Sequence, residues 1–398
     1  MHVAFLLKKY PKPSETFITN QIRGLNDLGH TIDVYVQRNM LTAGETVPGN
    51  ARDVMYFDPI NIKDKLVSVF RTQVPATFCH PFYMFKLIKH GTNAVTQNDL
   101  WKWRSAPLLQ RLDEYDAIHA HYGPVGNAFQ FINKKTQAPF ITSFYGYDVS
   151  KLLKKNPWRY ENLFECVDVV LSLSRYMDEQ LIAHGCPFEK LVRFPLPVDT
   201  DSFQYEPLPG ESVETIDLLS VCRLVEKKGI TYVLDALETL RDDYTIQYRI
   251  AGDGPLREKL ERQVFDAKLE DQVFFEGWKS SDEVAQLMSE SDIFIQTSVT
   301  SSEGDKEGTP TVLLEAQARG MPVISTYHAG IPEIVDDGMS GILVPERDSV
   351  AIAYAIKKLV SDPSKWSKYG RNGREFIEKR HSLKAVASRL EHIYTNAR

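Results

Sequence analysis

Two acids and two cations in the second half of the chain are spaced for chemistry on a phosphorylated sugar. The run Glu307-Gly-Thr-Pro-Thr-Val-Leu-Leu-Glu315 places one carboxylate just before a helix and the other in its second turn. Thr309 is a good N-cap, Pro310 a good first helical residue, and Gly320 follows the expected helix end. The loop amides and the positive end of the helix dipole then face one mouth, where an anion gains ~0.3–2 kcal/mol. Two carboxylates would repel a bare phosphate, but they suit sugar hydroxyls on either side of one. Upstream, Arg223-Leu-Val-Glu-Lys-Lys-Gly229 delivers Arg223 at a strand end and Lys228 at a helix start. A guanidinium clamps phosphate oxygens bidentately while an ammonium acts as a point charge, so the two together suit a diphosphate. Solvated loop charges and an ordinary salt bridge are the plainer alternatives.

The elements that must position these groups are read from hydrophobic period. Short apolar runs at His2–Leu7, Thr31–Val36, Asp116–His121, Pro139–Phe144 and Asp168–Leu173 read as strands in the first half. The second half offers Ile216–Cys222, Ile246–Ala251, Val273–Phe275, Ile293–Gln296 and Val323–Ser325. Most are continuous rather than alternating, the pattern of parallel strands covered on both faces. Between them lie helical stretches: Ser14–Leu28 puts Phe17, Ile18, Ile22, Leu25 and Leu28 on one stripe, with Ser14 as N-cap and Gly29 past the end. The alternation occurs twice, on either side of Arg193-Phe-Pro-Leu-Pro-Val-Asp-Thr-Asp, where Pro195 and Pro197 interrupt regular structure. The expected class is α/β, with two Rossmann-like doubly wound parallel-sheet domains facing across a cleft. Residues 1–198 form the first domain, 199–374 the second, and a helix over about 375–398 packs back on the first. Ligands of such sheets bind at the carboxyl ends of the strands, where Arg223 and the Gly252-Asp-Gly-Pro turn fall. That turn is not a dinucleotide fingerprint: Arg257 stands where a third glycine is needed, and Asp271 precedes a strand instead of ending one.

Composition narrows the field further. The 398 residues carry 47 Lys or Arg against 53 Asp or Glu, a net charge of −6, which argues against a nucleic-acid-binding role. The four cysteines show no close pairing, so a reducing, cytoplasmic setting is expected. The apolar start before Lys8 is too short for a signal sequence and reads as a first strand, and no apolar run approaches the ~18 residues that span a bilayer. The stretch Ile60–Arg111 stands apart, with eight Lys or Arg against two acids and seven Phe, Tyr or Trp residues. It reads either as helices with solvated basic faces or as a surface that meets anionic lipid at the inner face of the plasma membrane.

Taken together these segments resemble the retaining glycosyltransferases of family 4, whose fold is GT-B. The resemblance rests on the Glu307/Glu315 pair, Arg223/Lys228/Gly229, the Gly252-Asp-Gly-Pro turn and Glu276-Gly-Trp. In the first half, Pro11-Lys-Pro-Ser-Glu-Thr-Phe-Ile, His119-Ala-His-Tyr-Gly, Phe144-Tyr-Gly-Tyr-Asp148 and Val198-Asp199…Phe203 are similar to the polysaccharide-building branch. The resemblance implies that Arg223 and Lys228 hold a donor diphosphate and Glu315 the ribose hydroxyls. Glu307 would contact the donor sugar, and the amides of Gly308, Thr309 and Thr311, with Pro310 between, would reach phosphate and sugar beside Gly252. Glu15, Thr16, His119, Tyr145 and Asp148 would lie toward the acceptor. No metal or other cofactor is implied, because cations and a helix start neutralise the leaving group.

Two positions depart from the family pattern. Tyr145 stands where many relatives place a histidine facing the transferred sugar, and a phenol with a reference pKa of about 10 is a poor base at neutral pH. His119 and His121, two apart on one strand face, are the candidates to compensate, with His121 the expected catalytic one; satisfied core histidines are the alternative. Tyr10-Pro-Lys-Pro replaces a glycine pair in the first loop. The implied activity is hexosyl transfer, with UDP-glucose as the expected donor and GDP-mannose next. The expected acceptor is a glycan or an oligosaccharide on a polyprenyl diphosphate. A non-catalytic GT-B subunit and a nucleotide-sugar epimerase are the alternatives.

Overall fold

The computed structural model describes residues 1–12, 15–40, 50–53, 105–205 and 215–397, and the statements below concern these residues. Most of the stretch Ile60–Arg111 and the expected N-cap Ser14 therefore lie outside the described residues. Contacts divide the chain into two units. One comprises Met1–Ser143, Asn162–Val170 and Glu391–Arg398; the other comprises Phe144–Glu161 and Leu171–Leu390.

The first sheet consists of β1 (His2–Tyr10), β2 (Thr31–Asn39), β3 (Asn50–Asp53), β4 (Ala117–His121), β5 (Phe140–Ser143), β6 (Val169–Ser172) and β7 (Leu191–Arg193). Its order is β3-β2-β1-β4-β5-β6-β7, and β1 pairs in parallel with both β2 and β4. Residues Val3 to Leu7 are at most 1% exposed, which explains the unbroken apolar run: a central parallel strand has no solvent face on which to place polar side chains. Helix α1 (Thr16–Asp27) buries Phe17, Ile18, Ile22 and Leu25 as the sequence stripe requires, and Gly29 takes a left-handed φ of 83° just past its end.

The second sheet holds β8 (Ile216–Val221), β9 (Ile246–Ala251), β10 (Val273–Gly277), β11 (Ile293–Gln296), β12 (Val323–Thr326) and β13 (Gly341–Val344). Its order is β10-β9-β8-β11-β12-β13, all parallel. The order steps outward from β8 in both directions, so the reversal point lies at β8/β11, the place where an open α/β sheet presents a ligand crevice. Helix α2 (Ile230–Leu240) buries Ile230, Val233, Leu234, Leu237 and Leu240 against this sheet. Truncating one of those leucines to alanine typically costs about 2–5 kcal/mol. Together the sheets and their helices are the two Rossmann-like halves of the GT-B fold. Among the described residues, no helix is long and apolar enough to cross a membrane.

Candidate functional site

At the end of β8 the chain turns through Cys222 and the exposed Arg223 into a short 3₁₀ turn, Glu226–Lys228, and then into α2. Gly229 joins turn to helix with φ 67°, and a Cβ there would sit 1.9 Å from the Thr297 carbonyl oxygen. Only glycine lets Lys228 come this close to the loop that follows β11. The neighbouring Gly252-Asp-Gly turn extends the pairing of β8 with β9: Cys222 N–H donates to Ala251 O and Leu224 N–H to Asp253 O. A Cβ on Gly252 would meet the Cys222 carbonyl at 1.9 Å, so this turn is pressed against the base of the Arg223 loop.

The acid loop arrives from β11. Glu307 is 8% exposed, and its Oε1 lies 3.0 Å from Lys228 Nζ and 4.0 Å from Lys227 Nζ. Burial works against its charge, but Lys228 and Lys227 outweigh that and hold the carboxyl below the ordinary carboxylate range. Lys227 also pairs with Asp305 at 3.2 Å. The Glu307 amide N–H donates to His328 Nε2 at 3.0 Å, and His328 Nδ1 meets Glu346 Oε1 at 2.6 Å.

Helix α3 (Thr311–Arg319) begins one residue later than expected. Pro310 is its N-cap rather than its first helical residue, and Thr309 makes no capping hydrogen bond; the proline's ψ of 110° keeps it out of the helix. Among the described residues no side-chain capping hydrogen bond is made at this helix start, so the amides of the first turn keep donor capacity. Gly320 closes the helix at φ 92°, as the sequence suggests. Glu315 is partly exposed on α3, and with no cation beside it burial pushes its carboxyl up to about 7. Glu307 and Glu315 are thus eight residues apart and electrostatically opposite: one is compensated by lysines, the other is a desolvated acceptor.

The Phe144-Tyr-Gly-Tyr-Asp148 segment meets this loop within the same unit. A Cβ on Gly308 would lie 2.2 Å from Tyr145 O, and one on Gly146 would lie 2.8 Å from Gly308 N. Buried Asp148 accepts hydrogen bonds at Oδ1 from the amides of Tyr145 and Gly146, both at 3.0 Å. It shapes that turn, and Tyr145 is placed beside Gly308.

The histidines of β4 require a correction. His119 and His121 are fully buried and stack on each other with ring centroids 4.2 Å apart. His119 is hydrogen-bonded at both ring nitrogens, to Tyr394 OH and Ser143 Oγ, each at 2.7 Å. Desolvation pushes its pKa down to about 3, and that of His121 falls well below the usual value for the same reason. They are core groups in the first unit, not compensating bases. In the same unit Glu15 accepts from Tyr122 OH at 2.9 Å, and Thr16 opens α1. Among the described residues the structure joins Lys228 to Glu307 directly. It brings Gly252 against the Arg223 loop and leaves Arg223 and Glu315 without ion-pair partners.

Sequence reasoning missed His328 and Glu346. The signal was available: both stand two residues beyond a buried strand, at the carboxyl ends of β12 and β13.

Comparison with known proteins identifies the family of the chain. A family model described as Glycosyltransferase Family 4 matches residues 14–202, and one described as Glycosyl transferases group 1 matches residues 206–376. The amylovoran biosynthesis glycosyltransferase AmsK of Erwinia amylovora is 30% identical over 377 residues, 90% of each chain. WcaL of Escherichia coli strain K12, provisionally named as a colanic acid biosynthesis glycosyltransferase, is 32% identical over 368 residues, 89% of each chain. The crystal structure of Anabaena HepE in complex with UDP superposes with a TM-score of 0.73 at 17% identity, covering 99% of this chain and 100% of that one. The chain therefore belongs to glycosyltransferase family 4.

Proposed function

We propose that this glycosyltransferase moves a hexose from a UDP-sugar, UDP-glucose first, to a glycan or polyprenyl-diphosphate-linked oligosaccharide in polysaccharide biosynthesis. The observation that carries the donor reading is the Lys228–Glu307 pair beside the uncapped start of α3. A cation, a set of free amides and two acids of unequal basicity match diphosphate, sugar and ribose in turn. The names of AmsK and WcaL support the polysaccharide assignment, and UDP in HepE supports the uridine nucleotide.

In this reading Arg223 and Lys228 hold the diphosphate and stabilise the charge that grows on its oxygen as the anomeric bond breaks. Glu315 accepts from the ribose hydroxyls, and Glu307 accepts from ring hydroxyls of the donor sugar. Transfer proceeds with retention on the front face through an oxocarbenium-like state. The acceptor hydroxyl attacks from the leaving-group side, its oxygen bonds to the anomeric carbon, and its proton passes to the departing diphosphate oxygen. No metal ion is required in this scheme, since Arg223, Lys228 and the amides of α3 share the developing charge. Tyr145 and Asp148 bound the sugar side, with Glu15 and Thr16 assigned to the acceptor. We place the domain junction at Val198/Asp199 and assign Ile60–Arg111 to peripheral contact with anionic lipid at the inner membrane face.

Incubation with a panel of nucleotide sugars tests this directly. Slow release of UDP from UDP-glucose without acceptor, and stabilisation by ~2.7 kcal/mol at a ligand concentration 100 times Kd, are the expected results. GDP release from GDP-mannose alone would replace the donor. Conversion of the sugar with no nucleotide release would mean an epimerase, and binding without release a non-catalytic subunit. Flotation with vesicles containing anionic lipid at low salt tests the membrane contact; protein left at the bottom removes it.

A further inference from the structure

His328 lies beyond the family motif and is fully buried, yet it touches the one acid that the donor reading places against the sugar. Its Nε2 accepts the Glu307 backbone N–H at 3.0 Å, which fixes the tautomer: the ring proton sits on Nδ1 and is donated to Glu346 Oε1 at 2.6 Å. Glu346 in turn accepts the Thr300 N–H at 2.8 Å. The chain of contacts ties together the segments that leave β11, β12 and β13, and it ends on the loop carrying Glu307. The turn itself is held in a demanding conformation. Ala329 has a positive φ of 44°, and a Cβ on Gly330 would lie 2.9 Å from Ser174 Cβ and 3.1 Å from Gly308 O. The imidazole therefore has little freedom to leave the Glu307 amide.

We propose that His328 is a positioning residue: its neutral imidazole, oriented by Glu346, anchors the Glu307 amide so that the carboxylate stays beside Lys228 and faces the donor sugar. The proposal rests on the donor reading for its kinetic consequence but not for its structural one. Only the neutral ring can serve. A second ring proton would set an N–H against the Glu307 N–H and release the loop. The charged groups facing the ring are Glu346 from the segment after β13, and Glu307 and Lys306 from the loop before α3; Lys227 and Lys228 stand behind Glu307. Burial lowers the basicity of His328 more than the facing carboxylates raise it, so the anchor holds at neutral pH.

The decisive comparison is His328→Phe, which keeps ring volume and removes the acceptor, with His328→Gln, whose side-chain oxygen can still accept. Two readouts are taken. In amide hydrogen exchange, the Glu307–Gly308 segment should exchange at least about tenfold faster in His328→Phe and remain near wild type in His328→Gln. In steady-state kinetics at saturating UDP-glucose, kcat should fall about 10–100-fold in His328→Phe, with affinity for UDP within about threefold of wild type. His328→Gln should recover most of that kcat and lose the acid limb of its pH profile, because it has no titrating ring. Should His328→Phe prove too unstable, Glu346→Gln is measured in its place, with a smaller increase in exchange expected at the same amides. Unchanged protection at Glu307 in His328→Phe overturns the proposal, as does an equal loss of kcat and UDP affinity in both His328 variants. If exchange responds as expected while the wild-type protein transfers from no nucleotide sugar, the anchor stands and the donor reading falls.

Discussion

Three fully buried histidines lie within or just beyond parallel strands, and they differ in what they hold. His119 and His121 are residues of β4 itself, so their rings lie within the layer packed on the sheet. One is closed off by Tyr394 and Ser143, and Phe5 packs edge-on against His119 and tilted against His121. His328 sits two residues past β12, in a turn, and its ring reaches across to the amide of an acidic loop. A side chain inside a strand has its direction set by the pleat; one in the loop beyond can be aimed. The same residue type is thus core filling in the first unit and support for chemistry in the second.

Mutation can break or sharpen this contrast. The largest effect belongs to the cations: Arg223→Ala and Lys228→Ala should each lower turnover about 100-fold or more, a loss of ~2.7–4 kcal/mol in transition-state stabilisation. They should differ in stability. Arg223 is exposed without an ion-pair partner among the described residues, so Tm should not move, whereas Lys228→Ala strands a buried carboxylate at Glu307 and should lower Tm. Near-wild-type kinetics for both would refute the phosphate assignment.

Gly308→Ala comes next. Its Cβ would sit 2.2 Å from Tyr145 O, and the forced shift of the Glu307 loop should reduce turnover by some tens of fold, about 100-fold at most, with a measurable fall in Tm. Wild-type activity in this variant would show that the contact is not needed for the site.

A smaller, pH-dependent effect should appear at Glu315. Its carboxyl titrates near 7, and accepting ribose hydroxyls favours the ionised form, so affinity for an intact UDP-sugar should rise about tenfold from pH 6 to pH 8. The sign for stability is opposite. A raised carboxyl stabilises the fold fully below its unfolded value, and that contribution fades as pH rises toward 7. Glu315→Gln should flatten the affinity profile in titration calorimetry and remove this fade in stability.

The smallest catalytic effect is expected at His119→Phe, which should cost about 1–3 kcal/mol of stability by stranding the Tyr394 and Ser143 hydroxyls. Its turnover should stay within about threefold of wild type. A hundredfold loss at unchanged Tm would erase the distinction between the two histidine groups.

The strands recovered from sequence and those missed divide along the same physical line. The central strands announce themselves because both faces are buried, which forces continuous apolar runs such as Val3–Leu7 and Ile293–Ile295. The strands not foreseen, β3, β7 and β13, all lie at sheet edges and are three or four residues long. Short runs carry little period to read: β13 is apolar and buried at every position yet spans only four residues, while β7, with one neighbour among the described residues, is partly buried and tolerates the prolines that follow.

For the candidate site, sequence by itself determined which groups are proposed for the chemistry: the cations, the acids, and the glycines that let their loops approach. Residue type and spacing suffice there, since a glycine at positive φ and a carboxylate near a helix start are local facts. Tertiary structure alone decided that Glu307 is neutralised by Lys228 while Glu315 is not, that His119 is sealed in the core, and that His328 holds the acid loop. Each of these depends on distance and desolvation between segments 21 to 275 residues apart, which no local pattern encodes.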